Sequence, residues 1–154
     1  MGAAEIRLDG ETGQIRVERY VSLADVGRAI NPQQCHGQDE GGVVMGLGPS
    51  LFEALQFEGG RLLNPGLTQY RVPTFEDLPG HLETVLVENG DGPGPYGAKG
   101  IGESGLIPVA PALANALADL TGVRLTELPM TPERVWRALQ QARRRPAGQG
   151  TGGR

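Results

Sequence analysis

Residues 96–105, YGAKGIGESG, place one carboxylate and one ammonium group among four glycines. Glu103 can donate or accept a proton, and Lys99 can hold an anion or an oxygen atom of a ligand. Glycine lets the main chain approach a ligand where a Cβ atom would collide. The alternative is a plain loop before a helix, with Glu103 near the positive end of the helix dipole and Ser104 as its cap. These ten residues alone leave both interpretations open.

A second candidate region is the helix predicted over residues 35–56. Each glycine inside a helix costs about 1 kcal/mol relative to alanine. The glycines in question are Gly37, Gly41, Gly42, Gly46 and Gly48. Their spacing predicts a groove of small residues along one side, packed closely against another element or a ligand. Gln38 lies in this region, and its amide group can serve a ligand or simply satisfy a loop carbonyl at the helix N-terminus.

The remaining pattern predicts an α+β fold in which helices pack on a mixed sheet. Alternating apolar residues and an Asp-Gly turn predict a hairpin of strands 5–8 and 14–24. Further strands are expected at 81–88 and 123–128. Helices are expected at 106–120, with Pro111 indicating a later start, and at 133–143 after the cap at Thr131. Residues 71–79 are expected to be irregular with one helical turn, and residues 89–95 to form a loop.

Composition narrows the class of protein. The net charge of −4 argues against a general nucleic-acid binder, which would carry a basic face. A single cysteine, Cys35, excludes an internal disulfide and a cysteine-based metal or iron–sulfur site within these residues. No signal peptide or bilayer-spanning run is apparent, so we expect a cytoplasmic protein without membrane contact. Residues 1–145 are expected to form the domain and residues 146–154 a disordered tail.

Seven short motifs occur in the order found in one known family. They are residues 25–32 (DVGRAINP), 37–42 (GQDEGG), 64–65 (NP), 70–74 (YRVPT), 97–103 (GAKGIGE), 107–112 (IPVAPA) and 128–135 (LPMTPERV). Together they resemble the C-terminal part of the molybdopterin-binding large subunit of the molybdenum hydroxylases, the xanthine dehydrogenase and aldehyde oxidase family. The similarity extends from residue 5 to about residue 142. Each motif alone is weak, but seven in the family's order are specific.

The resemblance implies roles for individual residues. Glu103 matches the family's catalytic base, which serves oxidative hydroxylation of an aldehyde or N-heterocycle carbon using water. Gln38 matches a glutamine whose amide reaches the molybdopterin. Lys99, Gly100, Ile101 and Gly102 match the loop that lines this cofactor. For Lys99, a solvated or structural cation remains the alternative. No residue is assigned as a metal ligand, and Asp25 with Arg28 is expected to form a turn cap and a local ion pair.

The resemblance also implies partners. The cofactor would be molybdenum–molybdopterin, with molybdopterin cytosine dinucleotide as one form. The remainder of the large subunit, an iron–sulfur subunit with [2Fe–2S] clusters and an FAD subunit are expected as partner chains. The family's large subunit is several times longer, so the isolated chain is expected to be inactive. The alternative function is a non-catalytic remnant or an assembly module without a productive cofactor site.

Overall fold

The computed structural model describes residues 1–144, and the tail predicted at 146–154 lies outside the described residues. The regular elements, in chain order, are the strand β1 (Gly2–Leu8), the strand β2 (Ile15–Gly27), the helix α1 (Pro32–Leu51), the short strands β3 (Phe57–Glu58) and β4 (Arg61–Leu62), the strand β5 (His81–Glu88), and the helices α2 (Val109–Thr121) and α3 (Pro132–Arg144). Single 3-10 turns occur at Phe75–Asp77 and Pro95–Gly97.

The sheet is mixed and has the strand order β1-β2-β5. β1 and β2 form the predicted antiparallel hairpin, and β2 pairs in parallel with β5. A parallel pair needs a long crossover connection, and α1 lies within it. The α+β class and the mixed sheet are therefore as predicted.

The core lies between one face of this sheet and the helices. Val17 and Tyr20 of β2 both face the core although they are three residues apart, because a bulge opposite Glu5 and Ile6 adds one residue between them. The helices contribute a stripe of fully buried side chains: Val43 and Leu47 from α1, Val109, Leu113 and Leu117 from α2, and Val135 from α3. One apolar cluster includes residues of β2 and of all three of these helices.

The helix boundaries follow local chemistry. The side chain of Asn31 accepts a hydrogen bond from the Gln34 amide, and Pro32 occupies the first turn, so α1 begins earlier than residue 35. It ends at Leu51. Beyond it, the Asn64 side chain accepts a hydrogen bond from the Gln56 amide and donates one to the Ala54 carbonyl, which holds these residues in a non-helical conformation. The predicted end at residue 56 was too late. α2 begins at Val109, as Pro111 indicated, and ends at Gly122 in the left-handed conformation.

One predicted strand is wrong. Residues 123–128 are irregular, and no described strand pairs with them. Val123 and Leu125 instead pack side-on against the core, so their apolar character reflects burial and not a sheet ladder. Within residues 1–144, none of the helices combines the length and the apolar character that crossing a membrane requires.

Candidate functional site

The loop that carries Lys99 and Glu103 is joined to the end of β2 by main-chain hydrogen bonds. The Lys99 amide donates to the Val26 carbonyl at 2.9 Å, and the Gly90 amide donates to the Gly27 carbonyl at 2.7 Å. Gly27 has φ of 62°, and a Cβ atom there would lie 2.2 Å from the Gly97 carbonyl oxygen. Only glycine fits this left-handed, crowded position. The loop therefore begins at a defined place on the sheet.

Lys99 is fixed by two carboxylates. Its Nζ atom lies 2.7 Å from Asp25 Oδ2 and 2.6 Å from Asp91 Oδ1. The hydrogen bonds that Lys99 donates to Asp25 and then to Asp91 raise the pKa of Lys99, and the bond from Lys99 holds the pKa of Asp25 below its usual value. An ammonium group has three donors, so one remains for another acceptor. Lys99 thus has a structural role here, and that role leaves room for a ligand.

The expected local ion pair between Asp25 and Arg28 is wrong in its partner. Asp25 does accept a hydrogen bond from the Gly27 amide at 3.0 Å, as the predicted turn cap. Its charge, however, is paired with Lys99, which lies 74 residues along the chain. β2 continues to Gly27, so Asp25 lies near the end of this strand, next to the loop that carries Lys99. Arg28 instead lines the neighbouring cleft.

Gln38 joins the two candidate regions directly. It lies in the second turn of α1, and its Nε2 atom donates to the Gly102 carbonyl at 2.8 Å. The amide of the predicted cofactor-binding glutamine is therefore bonded to the residue immediately before Glu103. The bond uses one of the two Nε2 donors and leaves the side-chain oxygen available.

Glu103 itself is exposed to solvent. Among residues 1–144 its carboxylate makes no hydrogen bond or ion pair. In the alternative interpretation, the loop before a helix is observed but the Ser104 cap is wrong, because α2 begins at Val109 behind Pro108 and has no side-chain cap. The chain from Glu103 to Val109 forms open turns, with amide donations from Leu106 to Glu103 and from Val109 to Leu106. The carboxylate is thus presented on a loop and not on a helix end.

A cleft of about 510 Å³ lies beside this loop. The lining includes four of the five residues that the sequence assigned to cofactor binding, Gln38, Lys99, Ile101 and Gly102, whereas Gly100 lies outside it. The opposite wall comes from the end of β2 and the first turns of α1, and it consists of Val26, Arg28, Ile30, Asn31, Gln34 and Cys35. Of these, Gln34 and Cys35 precede Gln38 by four and three residues. That helical spacing puts them on the same face and was the signal that could have identified them.

The small-residue groove of α1 is confirmed for half of its length. A Cβ atom at Gly42 would lie 3.3 Å from Gly105 Cα, and one at Gly46 would lie 2.7 Å from the Val109 side chain. These glycines let the start of α2 pack directly on the α1 backbone. At Gly37 and Gly41, by contrast, nothing described lies within 4 Å of such an atom.

The loop offers donors of the kind that a polar cofactor needs. The amides of Gly100, Ile101 and Gly102 have no acceptor among residues 1–144. Gly100 and Gly102 have open space where a side chain would begin, so a planar group can approach the main chain there. With the free groups of Gln38, this donor and acceptor set fits a pterin edge. Across the described part of the chain, no group of three His, Cys, Asp or Glu side chains is placed to hold a metal ion.

Comparison with known proteins decides the family. Residues 1–79, just over half of the chain, match the model of the molybdopterin cofactor-binding domain. The chain belongs to this family. It is 36% identical over 140 residues to the putative xanthine dehydrogenase molybdenum-binding subunit of Escherichia coli K12, covering 90% of this chain and 18% of that protein.

Solved structures show the same molybdenum hydroxylase fold. Quinoline 2-oxidoreductase from Pseudomonas putida 86 superposes with a TM-score of 0.81 at 31% identity, over 91% of this chain and 18% of that one. Aldehyde oxidoreductase from Desulfovibrio gigas gives 0.80 at 34% identity, over 89% and 15%. The chain thus corresponds to a segment of a molybdenum-binding large subunit and spans less than a fifth of the length of these relatives. The resemblance and the fold class are confirmed.

Proposed function

We propose that this chain supplies the catalytic base and one wall of the molybdopterin site in a molybdenum-dependent hydroxylase. The observation that carries the proposal is the 2.8 Å hydrogen bond from Gln38 to the Gly102 carbonyl. It joins two motifs 64 residues apart, and those motifs contain the base and the cofactor amide that the resemblance implies. The bond holds the loop that carries Glu103 beside the cleft that Gln38 and Gly102 line, while the Glu103 side chain itself lies outside that lining.

Glu103 is the proposed base. Its carboxylate oxygens accept the proton that is released as an oxygen atom derived from water adds to the substrate carbon. The neighbouring residue Gly102 has no side chain, and no group among residues 1–144 bonds the Glu103 carboxylate. Both carboxylate oxygens are therefore free for this transfer. When bound, the molybdenum–molybdopterin group supplies the two-electron oxidation of that carbon. Relatives named for xanthine, quinoline and aldehydes make an aldehyde or an N-heterocycle the proposed substrate class.

The remaining site residues hold and orient the cofactor. Gln38 presents its free side-chain oxygen and second amide hydrogen to the pterin edge. The unpaired amides of Gly100, Ile101 and Gly102 offer further donors from the main chain. Lys99 contributes its third hydrogen while Asp25 and Asp91 keep the ammonium group in place. These contacts are directional, so they fix the orientation of the cofactor relative to Glu103.

The proposed assembly includes chains other than this one. The remainder of the large subunit encloses the cleft, and separate iron–sulfur and FAD subunits carry electrons away from the molybdenum. Molybdopterin cytosine dinucleotide is the proposed nucleotide form, and the cytoplasm is the proposed location. Because one open wall rarely holds a ligand that normally lies between domains, the isolated chain is expected to be inactive.

A second function, as an assembly module without a productive cofactor, is favoured by one observation: Glu103 is exposed and unpaired among the described residues. Metal content separates the two functions. The chain is expressed together with the open reading frames that neighbour its gene, and the molybdenum content of the purified complex is measured. Near-stoichiometric molybdenum is expected, and a stable complex free of the metal would establish the assembly module instead.

The catalytic role is tested by Glu103→Gln in that complex. Loss of the base is expected to lower kcat by about 10³-fold or more, with molybdenum content unchanged, because general base catalysis is worth about 10²–10⁴-fold. Glu58→Gln, in an exposed residue of the β3–β4 hairpin, is the matched control and should retain full activity. A Glu103→Gln complex with wild-type turnover would remove this residue from the mechanism.

A further inference from the structure

A cluster of buried polar groups lies directly behind the loop that carries Glu103. Tyr20, Ser22 and Asp39 are at most 1% exposed, and Thr84 is 9% exposed. One hydrogen bond connects them, from Thr84 Oγ1 to Asp39 Oδ2 at 2.8 Å. Asp39 Oδ1, the Tyr20 hydroxyl and Ser22 Oγ have no partner among the described residues. Each buried group without a partner is costly, so this arrangement needs an explanation.

The four side chains come from three elements, β2, β5 and α1. Tyr20 and Ser22 lie two residues apart on β2 and so share one face of the sheet. Ser22 is directly opposite Thr84 in the β2–β5 pairing, and Asp39 reaches them from α1. Burial, followed by the nearby Asp39 carboxyl, raises the pKa of Tyr20 to about 12. The three hydroxyl-bearing residues therefore share the face of the sheet that Asp39 of α1 contacts.

Asp39 is also the residue on which the loop rests. A Cβ atom at Gly105 would lie 2.4 Å from the Asp39 carbonyl oxygen and 2.9 Å from Asp39 Oδ1. The preceding residue, Gln38, bonds the Gly102 carbonyl. Consecutive residues of α1 thus hold both ends of the short segment 102–105, with Glu103 between them. Because Gly105 packs directly on Asp39, a small shift of Asp39 would also move the segment that carries Glu103.

We propose that Asp39 is a positioning residue for Glu103, and that an ordered water molecule links Asp39 Oδ1 to the hydroxyls of Tyr20 and Ser22. Such a water would accept hydrogen bonds from the two hydroxyls and donate one to the carboxyl, the usual number of contacts for a buried water. The cluster then fixes the Asp39 side chain, and Asp39 in turn fixes the position of the loop relative to α1. The inference rests on the proposed function insofar as Glu103 is the base.

The first measurement is amide hydrogen exchange in the complete chain, which needs no cofactor. Asp39→Asn keeps the size of the side chain but replaces the carboxyl group, and about tenfold faster exchange is expected at the amides of Leu106 and Val109, which donate to the Glu103 and Leu106 carbonyls. Glu40→Gln, one residue away and exposed on the same helix, is the matched control and should exchange like the wild type. If the Asp39 variant does not fold, Thr84→Val removes only the donor and is expected to give a smaller acceleration at the same amides. Wild-type exchange in the folded variant would overturn the proposal.

The second measurement is steady-state kinetics of the assembled, molybdenum-loaded complex. A misplaced base is expected to lower kcat about tenfold and leave KM within about twofold, because positioning acts on the reaction and not on binding. An unchanged kcat with faster loop exchange would make Asp39 structural only and would overturn the positioning role. If Glu103→Gln is fully active, the proposed function fails. If Glu103→Gln is inactive while Asp39→Asn behaves as wild type, only this inference fails.

Discussion

The two sides of α1 use glycine in opposite ways. Gly42 and Gly46 face α2, where an added Cβ atom would meet Leu106, Gly105 or Val109 within 3.3 Å. Gly37 and Gly41 face a side on which nothing described lies within 4 Å. All four carry the same helix penalty of about 1 kcal/mol each. The packed side recovers that cost through contacts within this chain, whereas the open side does not.

This difference shows which part of the site is complete in the chain. The packed side fixes the loop that presents Glu103, through contacts among Asp39, Gly105 and Gly42. The open side adjoins Gln38 and the cleft, where unpaired amides of the loop also point to a further occupant. The chain therefore holds the loop that carries Glu103 by itself, but the cleft that Gln38 lines has a wall on one side alone among the described residues. That is the expected property of a segment that spans less than a fifth of its relatives.

The largest effect is expected at the centre of the packed side. Gly105→Ala puts a methyl group 2.4 Å from the Asp39 carbonyl oxygen, a main-chain atom that cannot rotate away. Overpacking of this kind costs about 1–3 kcal/mol, and we expect a loss near the upper end in urea denaturation of the chain. Gly100→Ala, in the same loop with open space at its Cβ position, should change the stability by less than about 0.5 kcal/mol. Equal losses in the two variants would show that the packed and open sides do not differ.

The next effect concerns the buried hydroxyl beneath the packed side. Burial and the Asp39 carboxyl raise the pKa of Tyr20 to about 12, against about 10 in the unfolded chain. The unfolded state therefore loses its proton first, and stability that is fully present below pH 10 is lost as the pH rises toward 12. The complete loss, reached above pH 12, is about 3 kcal/mol, since two pKa units correspond to about 1.4 kcal/mol each, and about 2 kcal/mol of it is expected by pH 11.5. Tyr20→Phe should lack this particular loss between pH 9 and pH 11.5, and an identical pH profile in both proteins would place the phenol in contact with solvent.

Much of the packed side could be predicted from the sequence. The spacing of Gly42 and Gly46 indicated close packing, and Pro111 indicated the late start of α2. The hairpin turn and the strand β5 followed from local chemistry and alternation. These features depend on residues near each other in sequence or on a repeating apolar pattern, so a single sequence contains the information.

The features that sequence reasoning missed depend on distant pairs. Nothing near Asp25 in the sequence indicated that it would pair with Lys99 instead of Arg28. The predicted strand ended at residue 24, whereas β2 extends to Gly27 and includes Asp25. The burial of Asp39 was hidden for a similar reason, since its partner Thr84 lies 45 residues away on β5. The predicted strand at 123–128 failed because an apolar pattern reports burial and not whether a neighbouring strand is present. The predicted roles of Gln38, Lys99, Glu103 and residues 100–102 remain predictions.

The smallest expected change in stability is at Gly41, and it compares the open side of α1 directly with the packed side. Gly41→Ala adds a methyl group to a helix interior where nothing described is within 4 Å, so the isolated chain should gain about 1 kcal/mol in urea denaturation. Gly46→Ala is the matched change on the packed side and should destabilise the chain, because the methyl group would lie 2.7 Å from the Val109 side chain.

In the assembled complex, Gly41→Ala should be harmful instead of stabilising. If the cofactor or the remainder of the large subunit occupies the open side, the added methyl group displaces it, and molybdenum retention after purification should fall below that of the wild type. A Gly41→Ala variant that is more stable alone and equally loaded with molybdenum would mean that this side stays in solvent. The glycine would then be a tolerated defect of the helix, and the groove would end at Gly42.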